Sequence, residues 1–202
     1  MADYTQTDAE LLAHQEITHP GSVVGTPVDV RTWLEGIVHI WQANIETTAN
    51  LTGGLDYIDI QASPNTSGNL WQSLGKYTPS GTAATDTAFD ANEAIGQTVL
   101  SVATTAGKTA GAVIYIKDAT SIATSEWNEV VTAVTDDTVT VTDGLEVAKV
   151  ATDDHIFTQA SRWPHYVNLS GIARLRVVVH HQGATGSDWR VYAVLMAATD
   201  IE

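Results

Sequence analysis

The chain reads as an all-β protein: an antiparallel β-sandwich, jelly-roll-like, with an inserted small β-barrel-like module and an extended N-terminal arm. Three observations predict this. Short runs rich in Val, Ile and Thr alternate apolar and polar residues, and Gly, Asp, Ser and Pro clusters bound them. Charged residues are only 16% of the chain, below the usual quarter, while Thr, Ala, Val and Gly abound, as expected of a folded, strand-rich protein. Finally, a compact strand-and-turn cassette interrupts one strand pattern, which resumes after it. At 202 residues the chain can bury one core plus a small satellite.

Residues 1–27 read as an arm. Asp8–Gln15 has the makings of one or two helical turns, which His19-Pro20-Gly21 and Thr26-Pro27 prevent from continuing. Large apolar residues are few here, so the arm is expected to lack a core of its own. It is either a frayed terminus or an extension docking on a neighbouring subunit, with Leu11, Leu12 and Ile17 as anchors.

Strands are expected at Val28–Leu34, Ile37–Ile45, Leu55–Ala62 and Trp71–Tyr77, with turns at Glu35-Gly36, Thr52-Gly53-Gly54 and Pro64–Gly68. In Ile37–Ile45 both alternating faces are apolar near the middle, so this strand is expected to be central and covered on both sides. Thr78–Asp90 reads as a low-complexity linker. The inserted module, residues 91–159, has its strands between Gln97 and Gln159. They are Val99–Val102, Ala112–Lys117, Trp127–Val134, Thr138–Thr142 and His155–Thr158. Strands at Tyr166–Leu169, Arg174–His181 and Trp189–Met196 follow, the last two joined by the turn-rich Gln182–Asp188 in what reads as a hairpin. Neither flank suffices for a stable core, so residues 28–90 and 160–202 are assigned to one discontinuous sandwich.

Nine Lys and Arg stand against 24 Asp and Glu, a formal net charge of -15. Such a surface repels phosphate backbones and anionic lipid, so no nucleic-acid partner and no membrane partner are expected. It keeps many copies soluble before assembly, and fits a saline setting equally well. With no Cys, disulfides and thiolate chemistry are excluded. No run approaches the length of a spanning helix, and MADYTQTDAELLAHQE lacks the basic and apolar regions of a secretory signal. Synthesis and folding are expected in a cytoplasm. Four of the nine basic residues, Arg162, Arg174, Arg176 and Arg190, fall late in the chain and predict a less acidic face. Arg174, Arg176 and Arg190 are the residues expected to pair with carboxylates on an acidic neighbour.

Candidate chemistry is sparse. His180 and His181 are adjacent on a strand and point to opposite faces, so they cannot share a metal ion without a bulge and read as structural histidines. Asp136-Asp137, Asp143 and Asp153-Asp154 occur where turns are expected, without the spacing of a calcium loop. G-x-S-x-G, H-E-x-x-H and Gly-rich phosphate loops are absent. No catalytic residue, metal or cofactor is assigned, and the chain is not expected to be an enzyme. Six Trp raise a carbohydrate-binding alternative, which requires exposed, coplanar indoles; core or interface packing is the simpler expectation.

Several segments carry a resemblance. The order of a strand, "AG", a strand, "EWNEVV", "TVTVTDGL" and "DDHIF" resembles small β-modules of tailed-phage virion proteins. "GIVHIWQANIETTANLTGGLDYIDIQAS" with "NLWQSLGKY" resembles the first half of the β-sandwich in small phage capsid-associated proteins, and "RLRVVVHHQGATGSDWRVYAVLMAATDIE" its closing hairpin and tail. The resemblance spans roughly residues 28 to 202 and implies an auxiliary virion protein. A capsid decoration or cement protein on the capsid exterior comes first, bound to the major capsid protein and self-associated as a homotrimer. A tail or fibre component is the alternative within the virion.

Overall fold

The computed structural model describes residues 5–45, 51, 55–79, 85–134, 138–183 and 189–199. These form fifteen strands and one short 3₁₀ turn, Ile122–Thr124, with no α-helix among them. The sandwich strands before the module are β1 (Thr5–Ile17), β2 (Gly21–Val24), β3 (Val28–Asp29), β4 (Glu35–Asn44), β5 (Asp56–Ser63) and β6 (Gln72–Tyr77). The module holds β7 (Asp86–Ala88), β8 (Val99–Ser101), β9 (Val113–Lys117), β10 (Glu126–Val134), β11 (Thr138–Val141) and β12 (His155–Phe157). The sandwich resumes with β13 (Ala160–Asn168), β14 (Arg174–His181) and β15 (Trp189–Thr199).

All the pairings are antiparallel, in three sheets. The first sheet runs β1-β15-β4-β13 and the second β2-β14-β5-β6, with β3 also on β14. Their inner faces share one core. Val38 and Ile40 of β4, with Val191, Ala193 and Leu195 of β15, meet Ile58 and Ile60 of β5 and Leu175, Val177 and Val179 of β14, all fully buried. Alternate residues of each strand point inward, which is the period-2 pattern of the sequence turned into packing. At one side β6 comes close to β13. Tyr77 stacks on Trp163 at 5.3 Å and its hydroxyl lies 2.7 Å from His165 Nδ1. Gly75 makes room for this contact, since a Cβ there would sit 2.8 Å from the His165 ring.

The segment expected to be an arm is an integral strand. β1 pairs with β15 from Thr5↔Thr199 to Ile17↔Trp189. Leu11, Leu12 and Ile17 are 0–2% exposed within this chain's own core, so they are not anchors for a neighbour. Register shifts flank Leu12, and the irregularity turns two consecutive leucines inward. That break in the alternation is why Asp8–Gln15 resembles a helical turn in sequence. The chain then doubles back through β2, where Gly25 is pressed against β1. A Cβ at Gly25 would lie 1.9 Å from the Leu11 carbonyl oxygen.

β14 and β15 do not form a hairpin: β14 pairs with β2, β3 and β5, whereas β15 pairs with β1 and β4 in the other sheet. The chain crosses the sandwich between them, and Asp56 secures the point of departure. Its Oδ1 lies 2.8 Å from His181 Nδ1 and accepts the backbone N–H groups of Gln182 and Gly183, all at the end of β14. Residues 184–188 lie outside the described residues, as do the expected Thr52-Gly53-Gly54 turn and the Asp136-Asp137 pair. The strand expected at Val28–Leu34 is only the two-residue β3, and β13 begins six residues earlier than Tyr166.

The third sheet, β7-β12-β9-β10-β11-β8, is the module. Its two edge strands are linked by the Phe89↔Val102 bridge, so the sheet curls as a half-barrel around Phe89, Leu100, Ile114, Ile116, Val139 and Ile156. Because β7 pairs with β12, the module takes in Asp86–Ala88, inside the segment read as linker. Two cations lie deep in it. Lys108, 1% exposed, donates to the Ala106 carbonyl at 3.3 Å. Lys149, 1% exposed, donates to the Thr124 carbonyl at 2.7 Å, with Glu126 Oε1 at 3.3 Å and Asp118 Oδ2 at 3.9 Å.

Candidate interaction surface

The two sheets of the sandwich present very different outer faces. On the second sheet, side chains facing away from the core bind one another. Arg176 donates through Nε and a terminal nitrogen to Gln61 Oε1 at 2.9 and 2.8 Å. Gln61 donates to Asp59, which also accepts from Ser73. Trp71 lies under the guanidinium groups of Arg176 (3.9 Å) and Arg174 (4.8 Å), and Arg174 also donates to the carbonyls of Asn65 and Gly68. Tyr57 stacks on His180 at 4.5 Å and lies under Lys76. This network ties the 64–71 loop to the sheet and occupies the donors and acceptors that a ligand would need.

On the first sheet the outward residues are apolar and aromatic. The register sets them in rows across the strands. One row holds Asp8, Met196, Ile37 and Tyr166; the next holds Glu10, Val194, His39 and Pro164; a third holds Tyr192, Trp41 and Arg162. Met196, Ile37, Val194, His39, Tyr192 and Trp41 are only partly covered, and Tyr166 is 77% exposed. The rest of the face is covered by the module. At the β4 end, Ala43 and Ile45 pack on Tyr115 and Phe157, with Trp127 and Ala160 beside them. Trp127 reaches to 6.4 Å from the Trp41 ring and His14 Nε2 lies 3.1 Å from the Tyr115 hydroxyl. The module is thus a wall at one end of an open apolar floor.

Charge on this floor lies at its two sides. Asp8 and Glu10 are exposed on β1, and Arg162 is exposed on β13, its guanidinium 5.0 Å from the Trp41 ring centre. Burial, reinforced by the charge of Arg162, lowers the His39 pKa below its usual value, with Asp8 opposing. Burial raises the Tyr192 hydroxyl, helped by Glu10 and Asp8. Both shifts favour the neutral forms in the middle of the face.

The residues expected to meet a partner are placed elsewhere. Arg190 is 6% exposed and its guanidinium pairs with Glu16 at 2.5 Å, close to where the module meets the sheet, so it is not available to an acidic neighbour. Arg174 and Arg176 lie on the second sheet's outer face, committed to Trp71, Gln61 and backbone carbonyls. The structure brings none of Leu11, Leu12, Ile17, Arg174, Arg176 and Arg190 onto the open face. A sequence signal for it existed in Ile37–Ile45, whose two apolar faces both call for cover; the fold covers one fully and the other in part.

The histidines and tryptophans are accounted for by packing. His181 is fully buried beside Asp56 and His180 points outward onto Tyr57, as expected for neighbours on a strand. Among the described residues no cluster of three or more His, Asp or Glu is arranged to hold a metal ion. Asp154 accepts the backbone N–H groups of Ala119 and Val150, which is turn chemistry. Trp189 is fully buried, donating to Gln42 at 2.9 Å; Trp33 and Trp163 pack against the core, Trp71 lies under Arg174 and Arg176, and Trp127 packs where the module meets the sheet, which leaves Trp41 partly open but no row of three exposed indoles for a sugar. Comparison with protein-family models, characterised protein sequences and solved structures gives no match.

Proposed function

We propose that this chain is a non-catalytic structural protein of a virion, a capsid decoration or cement protein that works as part of a larger protein assembly. The observation that carries the assembly role is the open aromatic floor of the first sheet. A solvent-facing sheet surface normally carries polar residues, as the second sheet does. Here Trp41, Tyr192, Ile37 and Met196 are set side by side on the central strands β4 and β15, with Tyr166 beside them on the edge strand β13. A contiguous apolar patch rimmed by charge is the mark of a protein–protein contact, and aromatic residues and Met are the types enriched there. The virion setting rests on the segments that resemble phage capsid-associated proteins.

In this role the protein acts by mass action. Binding the assembled shell but not its loose subunits shifts the equilibrium toward the shell. Joining copies before they bind raises the effective concentration of each shell contact, so weak individual contacts suffice. The test is to purify intact particles from cells that make the protein and to count copies per particle. A copy number matching capsid lattice points supports the reading. A copy number matching the tail assigns the protein to tail or fibre, and absence from washed particles overturns the virion role. Glycan arrays probed with the purified chain check the carbohydrate alternative, for which no binding is expected.

A further inference from the structure

We propose that Lys149 and Asp118 condense into an intramolecular amide bond, a reaction the folded module carries out on itself with Glu126 as proton carrier. The bond ties the end of β9 to the segment leading into β12 and closes the chain around β10 and β11. It is independent of the virion setting and of whatever covers the first sheet.

The three side chains are withdrawn from water together: Lys149 is 1% exposed, and Asp118 and Glu126 are each 8% exposed. Each is held by its backbone. Glu126 opens β10, paired with Ile116, and Asp118 follows β9, its N–H donating to Ser125 Oγ at 2.9 Å. Lys149 is bridged to Glu93 by two backbone hydrogen bonds of 2.9 Å. The amine therefore arrives 3.3 Å from Glu126 Oε1 and 3.9 Å from Asp118 Oδ2. A buried ion pair is stable when hydrogen bonds satisfy its remaining atoms. Here Nζ donates to the Thr124 carbonyl at 2.7 Å, but Oε1 is buried without a hydrogen bond.

Asp118 is arranged as the acceptor of the amine. Its Oδ1 accepts from the Thr120 N–H at 2.8 Å, the Thr120 hydroxyl at 2.6 Å and the Ser121 N–H at 3.3 Å. Three donors on one oxygen stabilise the negative charge that collects there when an amine adds to Cγ. Burial pushes the Asp118 carboxyl up, but hydrogen bonds from Thr120 and Thr124 and the charge of Lys149 outweigh it and hold it down at about 2. Oδ2 therefore leaves only when protons are brought to it, and Glu126 is placed to bring them. Burial raises the Glu126 pKa. Its Oε2 accepts the Glu146 N–H at 3.1 Å, so the proton belongs on Oε1, beside Nζ.

The step balances without a co-reactant. Nζ adds to Cγ, and Oε1 relays two of the three ammonium protons in turn to Oδ2. The Cγ–Oδ2 bond then breaks and Oδ2 departs as water. Glu126 ends as it began, and nothing is oxidised or reduced. The third proton stays on the amide nitrogen, beside the Thr124 carbonyl, and Oδ1 becomes the amide oxygen among the donors that already hold it. Condensation replaces two buried charges by a neutral amide, which a dry interior favours. Groups fixed beside each other in this way react with effective molarities of up to about 10⁵–10⁸ M. Asp118 also lines a cleft between module and sandwich, with Ser121, Ser125 and Arg190, which gives the water a way out.

Intact-mass spectrometry of the full chain, purified folded and incubated at neutral pH, tests this. The expected mass is that of the sequence less one water. After denaturation trypsin should fail to cut behind Lys149, and fragmentation of the peptide 118–149 should place the loss on a link between Lys149 and Asp118. Glu126→Gln keeps the shape but cannot relay a proton, and should slow the loss of water at least about a hundredfold. Asp118→Ala should abolish it, and Lys117→Arg, next to the site, should leave it unchanged. A folded chain that keeps its full sequence mass, with trypsin cutting behind Lys149, overturns the proposal and leaves a buried ion pair. So does a loss of water that maps elsewhere, such as a cyclic imide at Asp143-Gly144, or a link that forms equally fast in Glu126→Gln.

Discussion

Deleting residues 1–17 should unfold the sandwich rather than trim it. The deletion removes β1, and with it Leu11, Leu12 and Ile17, each 0–2% exposed. Truncating one such side chain to Ala costs about 2–5 kcal/mol, so losing all three amounts to roughly 6–15 kcal/mol. The whole stability of a domain is about 5–15 kcal/mol. The deletion also leaves β15 with an unpaired edge along Trp189–Thr199, a template for aggregation. Urea unfolding followed by tryptophan fluorescence is a suitable assay, because Trp189 is fully buried in the sandwich core opposite Ile17. The milder Leu11→Ala substitution should lower stability by about 2–5 kcal/mol without abolishing the transition. A truncated chain that unfolds cooperatively with a loss under about 2 kcal/mol would refute the reasoning and restore the picture of a dispensable arm.

Three further outcomes follow from the same geometry. Replacing residues 86–157 by a short Gly/Ser linker should leave the sandwich cooperative, because loop closure depends only weakly on length; loss of the transition would mean that Tyr115 and Phe157 are indispensable to Ala43 and Ile45. Lys149→Met should destabilise the module by about 3–5 kcal/mol by stranding Glu126 and Asp118, read as faster hydrogen exchange in β9 and β10 with β4 unchanged. Burial, aided by the charge of Arg190, lowers the His14 pKa from 6.5 to about 4, so its contribution is full above pH 6.5 and is lost as pH falls toward 4. Allowing for partial solvent access this is worth about 1–2 kcal/mol, and His14→Gln should flatten the stability–pH curve in that window. His39, His165 and His180 are lowered in the same direction and leave a residual slope.

Strand positions were legible in the sequence because inward and outward residues alternate wherever one face is buried. Arg174–His181 matches β14 residue for residue, and the five strands expected in the module fall within a residue of their bounds, whereas β7 lies in the segment read as linker. Pairing was not legible. The alternation in Trp189–Met196 says that one face is buried but not in which sheet, and the crossing is settled by Asp56 gathering His181, Gln182 and Gly183, a contact 125 residues apart in sequence at its shortest. β1 was hidden by its own irregularity, since Leu11-Leu12 breaks the period that identifies strands. The open face was half visible: Ile37–Ile45 shows two apolar sides, but only the register with β13 and β15 brings Tyr166, Tyr192 and Met196 beside Trp41. Arg190 reads as a surface charge until its pairing with Glu16 and its burial are known.

The central claim is that the outer face of the first sheet is built to be covered by protein. Hydroxyl-radical footprinting tests it on the unmodified chain, comparing dilute protein with concentrated protein and with purified particles. Protection of Met196, Tyr166, Tyr192 and Trp41 in the associated state, with Tyr57 and Trp71 on the second sheet unchanged, is the predicted result. Equal labelling of Met196 and Tyr166 in every state, or protection confined to Tyr57 and Trp71, would contradict it.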